Sequence, residues 1–260
     1  MRIGIFDSGV GGITVLHEAL KQLPMEDYIY YADTLHVPYG PKPKEEVRTY
    51  ISNAVEFIVE QQVKAVVIAC NTATSVSIDE LRARYDIPII GMEPAVKPAV
   101  EHNRRGNTRV LVTATALTLK EEKLQNLITK LDNEHIVDLL ALPGLVHFAE
   151  ELEFSEEAVL PYLREQLQGY DWSHYETVVL GCTHFSFYKD MFRKLLPEGI
   201  HIIDGNRGTV NHLKRTLAEA GDLHKGSGNL VFYQSGVRVE AAAELEKYGR
   251  LLKRLDQIQI

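Results

Sequence analysis

Cysteine is scarce: two residues in 260 are too few for a disulfide framework. Positive charge is in deficit. The 28 Lys and Arg against 36 Asp and Glu leave a formal net charge of −8. That balance disfavours non-specific binding to nucleic acid or to an anionic membrane surface. It does not disfavour an anionic small molecule, because backbone N–H groups can line a pocket locally. The first residues, MRIGIFDSG, carry no apolar stretch of signal-peptide length and no small-residue cleavage pattern. No apolar run reaches the roughly 20 residues that cross a bilayer. Low-complexity segments and flexible linkers are also missing. These absences set an expectation of a cytoplasmic globular protein with a small-molecule ligand and no nucleic-acid or membrane partner.

What the chain does have is a regular alternation of strand and helix patterns. With 45% hydrophobic and 25% charged residues, it can bury one large core or two smaller ones. Residues 2–6 are an apolar run ended by Asp7-Ser8-Gly9, which predicts a buried strand and a glycine turn, Gly9-Val10-Gly11-Gly12. Helical spacing over 14–23 stops at Pro24, and a strand over 28–32 runs into a loop rich in special residues, 33–40. An amphipathic helix is predicted over 44–62, a strand over 65–69 with Cys70 at its end, a helix over 74–85 and a strand over 88–91. The pattern then restarts with a strand over 109–112 ending in Thr113-Ala114-Thr115, a helix over 119–131 and a strand over 136–142. Helices over 146–153 and 156–167 precede a strand over 177–180 that leads to Gly181-Cys182. A helix over 187–196 and a strand over 201–203 follow. The chain closes with a helix over 209–219, a glycine-rich turn, a strand over 230–233 and a last helix from about Arg238.

Laid side by side, the two halves correspond. RIGIFDS matches RVLVTAT, VVIACNT matches VVLGCTH, and IPIIGME matches IHIIDGN. The offsets are 107 residues (Ile3 to Val110), 112 (Cys70 to Cys182) and 113 (Ile90 to Ile203). A near-constant offset predicts an α/β fold of two pseudo-symmetric lobes, each a mainly parallel sheet flanked by helices, with the active site in the cleft between them. The first lobe is assigned residues 1–95 plus 208–260 and the second 96–207, with Pro94, Pro98, Asn103 and Gly106 marking the boundary.

In open parallel sheets, ligands bind beyond the carboxyl ends of the strands. Every notable motif sits at such an end: Asp7-Ser8, Pro38-Tyr39-Gly40, Cys70-Asn71-Thr72, Thr113 to Thr115, and Cys182-Thr183-His184. Two facing lobes set Cys70 and Cys182 on opposite walls of one cleft. Opposed thiols can invert a carbon centre, one removing a proton from one face and the other delivering a proton to the opposite face. Asp7 or His184 can orient or deprotonate a neighbouring thiol. Ser8, Asn71, Thr72, Thr183 and the turn N–H groups are neutral donors suited to carboxylates and an ammonium. The glycine turn lacks the spacing of a pyrophosphate fingerprint, no P-loop lysine follows it, and no lysine stands in a context that suggests a pyridoxal phosphate Schiff base. The spacing of Cys70, Cys182 and His184 fits no common zinc pattern. No cofactor and no metal are expected.

FDSGVGG, YADTLHVPYG, ACNTAT, GMEPAVKPA and GCTHF, in that order, resemble the glutamate racemase family, cofactor-independent enzymes of the aspartate/glutamate racemase superfamily. The resemblance implies that Cys70 takes the α-proton of D-glutamate and Cys182 that of the L-isomer. It implies that Asp7 assists Cys70, that His184 assists Cys182, and that Glu150 is an acidic residue near Cys182. Ser8, Pro38, Tyr39, Gly40, Asn71, Thr72 and Thr183 match substrate-contacting positions. It further implies a bacterial cytoplasmic homodimer whose D-glutamate feeds peptidoglycan synthesis. Departures from the family pattern fall in the second lobe: Ser186 replaces a proline, Gly205 a hydroxyl residue and Leu142 a cysteine, and the threonines near 113–118 are shifted. The same chemistry serves an aspartate or hydantoin racemase. A hydrolase or transferase using one thiol as nucleophile, or a non-enzymatic binding protein, are the alternatives from other classes.

Overall fold

The structure is a computed structural model and describes residues 1–103, 108–132, 134–224 and 226–258. Gly106, one of the boundary markers, lies outside the described residues. Strand β1 (Ile3–Asp7) leads into α1 (Ile13–Gln22), β2 (Tyr28–Ala32), α2 (Lys44–Glu60), β3 (Ala65–Ile68), α3 (Asn71–Arg84), β4 (Ile89–Gly91) and α4 (Val96–Asn103). The middle of the chain forms β5 (Arg109–Ala114), α5 (Ala116–Lys120), α6 (Glu122–Leu131), β6 (Val137–Ala141), α7 (Pro143–Glu150), α8 (Glu156–Leu167) and β7 (Tyr175–Leu180). A 3-10 helix, Thr183–Tyr188, then leads to α9 (Lys189–Leu195), β8 (His201–Asp204), α10 (Asn206–Glu219), β9 (Leu230–Gln234), β10 (Val237–Arg238) and α11 (Ala242–Gln257).

The strands form two sheets, ordered β10-β9-β2-β1-β3-β4 and β6-β5-β7-β8. All pairings are parallel except the β9–β10 hairpin. The order β2-β1-β3-β4 repeats as β6-β5-β7-β8, so the pseudo-symmetry read from the sequence is a repeat of topology. Strands β1, β2 and β3 are buried throughout, because helices cover both faces of the first sheet, which is why they read as continuous apolar runs. The largest apolar cluster draws on both sheets' helices: Ile13 and Leu16 of α1 join Leu145 and Ala149 of α7, Phe185 and Phe187 after Cys182, Leu213 of α10 and Leu251 of α11. Among the described residues, no helix is long and apolar enough to cross a membrane.

Several element ends differ from the sequence reading, each for a local reason. Helix α3 starts at Asn71 rather than near Thr74, because Cys70 caps it, its Sγ accepting the Ala73 N–H at 3.4 Å. Helix α7 starts at Pro143 rather than Val146, since proline at the first helical position has no intrahelical N–H to lose. The helix expected over 119–131 breaks at Glu121, whose backbone is extended and whose carboxylate pairs with Lys44 at 2.7 Å. Ser235 and Gly236 both have positive φ and turn β9 into β10, so Arg238 lies in a strand and the last helix starts at Ala242.

The C-terminal elements are tied to the first sheet by aromatic packing. Phe232 of β9 stacks on Tyr248 of α11 at 4.3 Å, and Tyr30 of β2 meets Tyr248 edge-on at 5.8 Å. Phe232→Ala is expected to lower unfolding free energy by about 3 kcal/mol in urea titration, the range for a large-to-small core change. A loss below about 1 kcal/mol would show that β9 and α11 are peripheral to the folding unit.

Candidate active site

Strand β1 delivers Asp7 and Ser8 to its carboxyl end, and β3 delivers Cys70 beside them. The Ser8 hydroxyl and the Cys70 thiol are 3.6 Å apart. Asp7 is fully buried; its Oδ1 accepts the Gly9 N–H at 3.0 Å and its Oδ2 accepts the Thr183 hydroxyl at 3.1 Å. On the other side, β7 ends at Leu180 and presents Cys182, whose Sγ is 3.6 Å from Nδ1 of His184. Nε2 of His184 is 2.7 Å from Oε1 of Glu150, at the end of α7. The same Oε1 accepts the N–H of Val10 at 2.8 Å, so Glu150 joins the glycine turn of the first sheet to the histidine of the second.

That close approach explains the turn's composition. A Cβ at Gly9 would stand 1.9 Å from Glu150 Oε1, and one at Gly11 would stand 2.4 Å from both His184 Nδ1 and Thr183 Oγ1. Glycine is required because second-sheet residues press on the backbone.

A cavity of about 270 Å³ opens between the two cysteines, a size suited to a small molecule. Of the residues singled out by sequence, Ser8, Pro38, Tyr39, Gly40, Cys70, Thr72, Cys182 and His184 line it. Asp7, Glu150 and Thr183 stand behind the wall, linked to lining residues or to each other by the hydrogen bonds above. Asn71 lines a smaller neighbouring cavity with Met92 and Glu93. Its Oδ1 is buried without a hydrogen-bond partner among the described residues. Ser186, Gly205 and Leu142 do not line the thiol cavity. Ser186 donates to Asp204 at 2.7 Å, and a Cβ at Gly205 would stand 2.3 Å from Met92 Sδ.

The cavity also takes residues not singled out as site residues: Pro41, Thr115, Ala116, Pro143, Val146 and His147. Thr115 was detectable, since the 107-residue offset that matches Ile3 to Val110 also matches Ser8 to Thr115. Its hydroxyl closes a triangle with Thr72 and Thr118, with sides of 2.9, 2.9 and 3.0 Å. Among the described residues no lysine, arginine, aspartate or glutamate lines the cavity; His147 and His184 are its basic side chains, beside neutral hydroxyls and backbone N–H groups.

The two cysteines have partners of opposite charge. Burial pushes the Cys70 thiol up to about 12, and the Asp7 carboxylate adds to the rise against the pull of the Ala73 N–H and Ser8. Burial likewise raises the Asp7 carboxyl to about 6, although His184 and the Gly9 N–H favour its charged form. Burial works against a cation at His184, but the Cys182 sulfur and the Glu150 carboxylate outweigh it and hold the imidazole well above its ordinary range. Glu150 is held below the usual carboxylate range, since His184 and the Val10 N–H overcome the burial that opposes its charge. At neutral pH an imidazolium therefore faces Cys182, while Cys70 is a neutral thiol near a carboxylate.

A family profile described as Asp/Glu/Hydantoin racemase matches residues 7–213. The chain is 53% identical to glutamate racemase 2 of Bacillus subtilis (strain 168), over 100% of this chain and 98% of that one. It is 56% identical to a glutamate racemase of Halothermothrix orenii, over 98% of this chain and all of that one. Among solved structures, a glutamate racemase of Francisella tularensis in complex with D-glutamate superposes with a TM-score of 0.81 at 28% identity, covering 97% of this chain and 93% of that chain.

Two outcomes test the geometry. Because the Asp7 carboxyl is raised in the folded state from 3.8 to about 6, its neutral form stabilises the fold at low pH and that contribution is lost as pH rises through about 6. Asp7→Asn is expected to be more stable than the parent at pH 8, by up to about 3 kcal/mol, with the gain vanishing towards pH 4 in urea titrations. A pH-independent difference would contradict the assigned carboxyl environment. Gly11→Ala is expected to displace His184 and lower turnover while keeping the far-ultraviolet circular dichroism spectrum; unchanged turnover would rule out the close approach.

Proposed function

The chain belongs to the Asp/Glu/hydantoin racemase family, and from that premise we propose that it interconverts L- and D-glutamate with Cys70 and Cys182 as opposed bases and no cofactor. The observation that carries this reading is that thiols from equivalent strand ends of two sheets line one cavity, each with its own ionisable partner. The choice of glutamate rests on the full-length relatives at 53% and 56% identity, both named glutamate racemases.

On L-glutamate, Cys182 acts as thiolate and takes the α-proton. The electron pair left on the α-carbon delocalises into the adjacent carboxylate. Cys70 then gives its proton to the opposite face, which yields D-glutamate, a Cys182 thiol and a Cys70 thiolate. The reverse reaction starts from the Cys70 thiolate, and Asp7, whose charge acts on Cys70, is the base we assign to accept and return that proton. His184, braced by Glu150, balances charge beside Cys182. Ser8, Thr72 and the Pro38-Tyr39-Gly40 turn hold the substrate from the cavity wall. Thr183 acts from behind by fixing Asp7, and Asn71 belongs to the substrate-binding set through the capped start of α3. D-glutamate made this way feeds peptidoglycan synthesis in a bacterial cytoplasm, and the enzyme works as a homodimer. The lobes that form the cleft are residues 1–95 with 208–260, and 96–207.

Enantiomers have equal free energy in water, so kcat/KM must be the same in both directions at every pH. The unlike partners of the two thiols can therefore appear only in kcat and KM taken separately. The kcat profiles against pH are expected to differ for L- and D-glutamate, and superimposable profiles would remove the assigned asymmetry. In deuterium oxide, both enantiomers of glutamate are expected to exchange the α-hydrogen. Cys70→Ser and Cys182→Ser are each expected to lower racemisation by about 10²–10⁴-fold. Exchange of aspartate but not glutamate would overturn the substrate, and loss of turnover in only one cysteine variant would overturn the two-base mechanism.

A further inference from the structure

Three residues unused by the racemase reading meet at the amino end of the second sheet. His102 lies in the last turn of α4, Glu176 is the second residue of β7, and His201 opens β8. One potential ligand atom from each lies within 4.8 Å of the other two. Nε2 of His102 is 3.5 Å from Oε1 of Glu176, and the rings of His102 and His201 meet edge to face with centroids 4.9 Å apart. Cys182 follows the opposite end of β7, so this cluster is separated from the thiol cavity by the length of the strand.

We propose that His102, Glu176 and His201 form a binding site for a divalent transition-metal ion of the zinc class. Two imidazoles and a carboxylate are a donor set that zinc accepts, and three protein ligands leave a tetrahedral position for water. Backbone pairing fixes where the donors stand. In the β7–β8 register Thr177 lies opposite His201, which sets Glu176 beside the start of β8. The Thr108 hydroxyl donates to Oε2 of Glu176 at 2.6 Å, orienting the carboxylate and leaving Oε1 towards the histidines.

Asn103, fully buried next to His102, anchors the end of α4. Its Nδ2 donates to the Thr108 hydroxyl at 3.2 Å and to the Arg109 carbonyl at 3.0 Å, and its Oδ1 accepts the Thr177 hydroxyl at 2.8 Å. The carbon skeleton of the site is thus held, while His102 and His201 are exposed and can turn their rings without losing core packing. Zinc–ligand distances of about 2.0–2.2 Å at tetrahedral angles put donor atoms roughly 3.3–3.6 Å apart, so the His102–Glu176 pair at 3.5 Å already has that spacing and the exposed histidine rings are the parts free to adjust. The bound ion clamps α4, the helix that joins the two sheets, to the second of them. It binds the folded chain and not the unfolded one, so it raises thermal stability.

The site does not depend on the roles of Cys70 and Cys182, but their thiols also bind zinc, so the test removes them. Full-length Cys70→Ser/Cys182→Ser protein is stripped with a chelator and titrated with zinc chloride by calorimetry. One zinc per chain is expected, with affinity reduced about tenfold or more by His102→Ala or His201→Ala. The thermal midpoint is expected to rise by roughly 5 °C at a hundredfold excess of zinc over its Kd, and not to rise in the His201→Ala variant. With the cysteines present, His102→Ala and His201→Ala are expected to racemise within about twofold of the parent, because neither residue touches the cavity. No zinc binding in the cysteine-free background, or equal affinity in the histidine variants, overturns the proposal.

Discussion

One carboxylate oxygen holds the two halves of the site together. Oε1 of Glu150 takes the Val10 N–H at 2.8 Å and stands 2.7 Å from Nε2 of His184. Both bonds need the glycine turn and the segment after Cys182 to sit within van der Waals contact, and the turn's glycines make that contact sterically allowed. The charge on Glu150 keeps His184 protonated, and His184 keeps Glu150 ionised in a place where burial opposes charge on either group alone. Asp7 is buried partly by the same contact and accepts the Thr183 hydroxyl across it. The electrostatic difference between the two cysteines thus follows from how the sheets meet rather than from the residues beside each cysteine alone.

Much of this was legible in the sequence, for identifiable reasons. Strand-to-helix alternation and the recurring offsets carried the two-sheet architecture, and the repeated order β2-β1-β3-β4 and β6-β5-β7-β8 bears it out. Cysteines ending apolar runs marked the cavity walls because a parallel strand fixes where its next residue emerges. Local reading failed where a tertiary contact decides the outcome. In sequence, Glu150 is one carboxylate in the acidic run EELEFSEE, and nothing local separates it from its neighbours. The glycine turn suggested a ligand loop that lacked its fingerprint, whereas its glycines answer to His184 and Glu150 from the other sheet. Thr115 sits in a strand-end motif and opposite Ser8 in the repeat, yet neither signal alone marks it as a lining residue, and the Ser235-Gly236 turn dipeptide marks the end of β9.

The sparse charge on the walls also bears on selectivity. Among the described residues, His184 is the one lining side chain held charged by a buried partner, and the hydroxyls of Ser8, Thr72 and Thr115 are the neutral donors beside it. The positions that depart from the family pattern, Ser186, Gly205 and Leu142, lie outside that lining and are absorbed by packing or by the Asp204 network. The lining hydroxyls of Thr72 and Thr115 are held in place by the triangle they form with Thr118 behind them.

The buried Asp7 ties the proton count of the site to the contact between the sheets. Its carboxyl sits near 6 only while the second sheet keeps water away. In water the same group would be an ordinary carboxylate, and the Glu150 bond to Val10 spans the contact that excludes that water. Between about pH 4 and 6 the folded chain therefore keeps a proton on Asp7 that a hydrated carboxyl would have lost, so the meeting of the sheets is also a store of one proton.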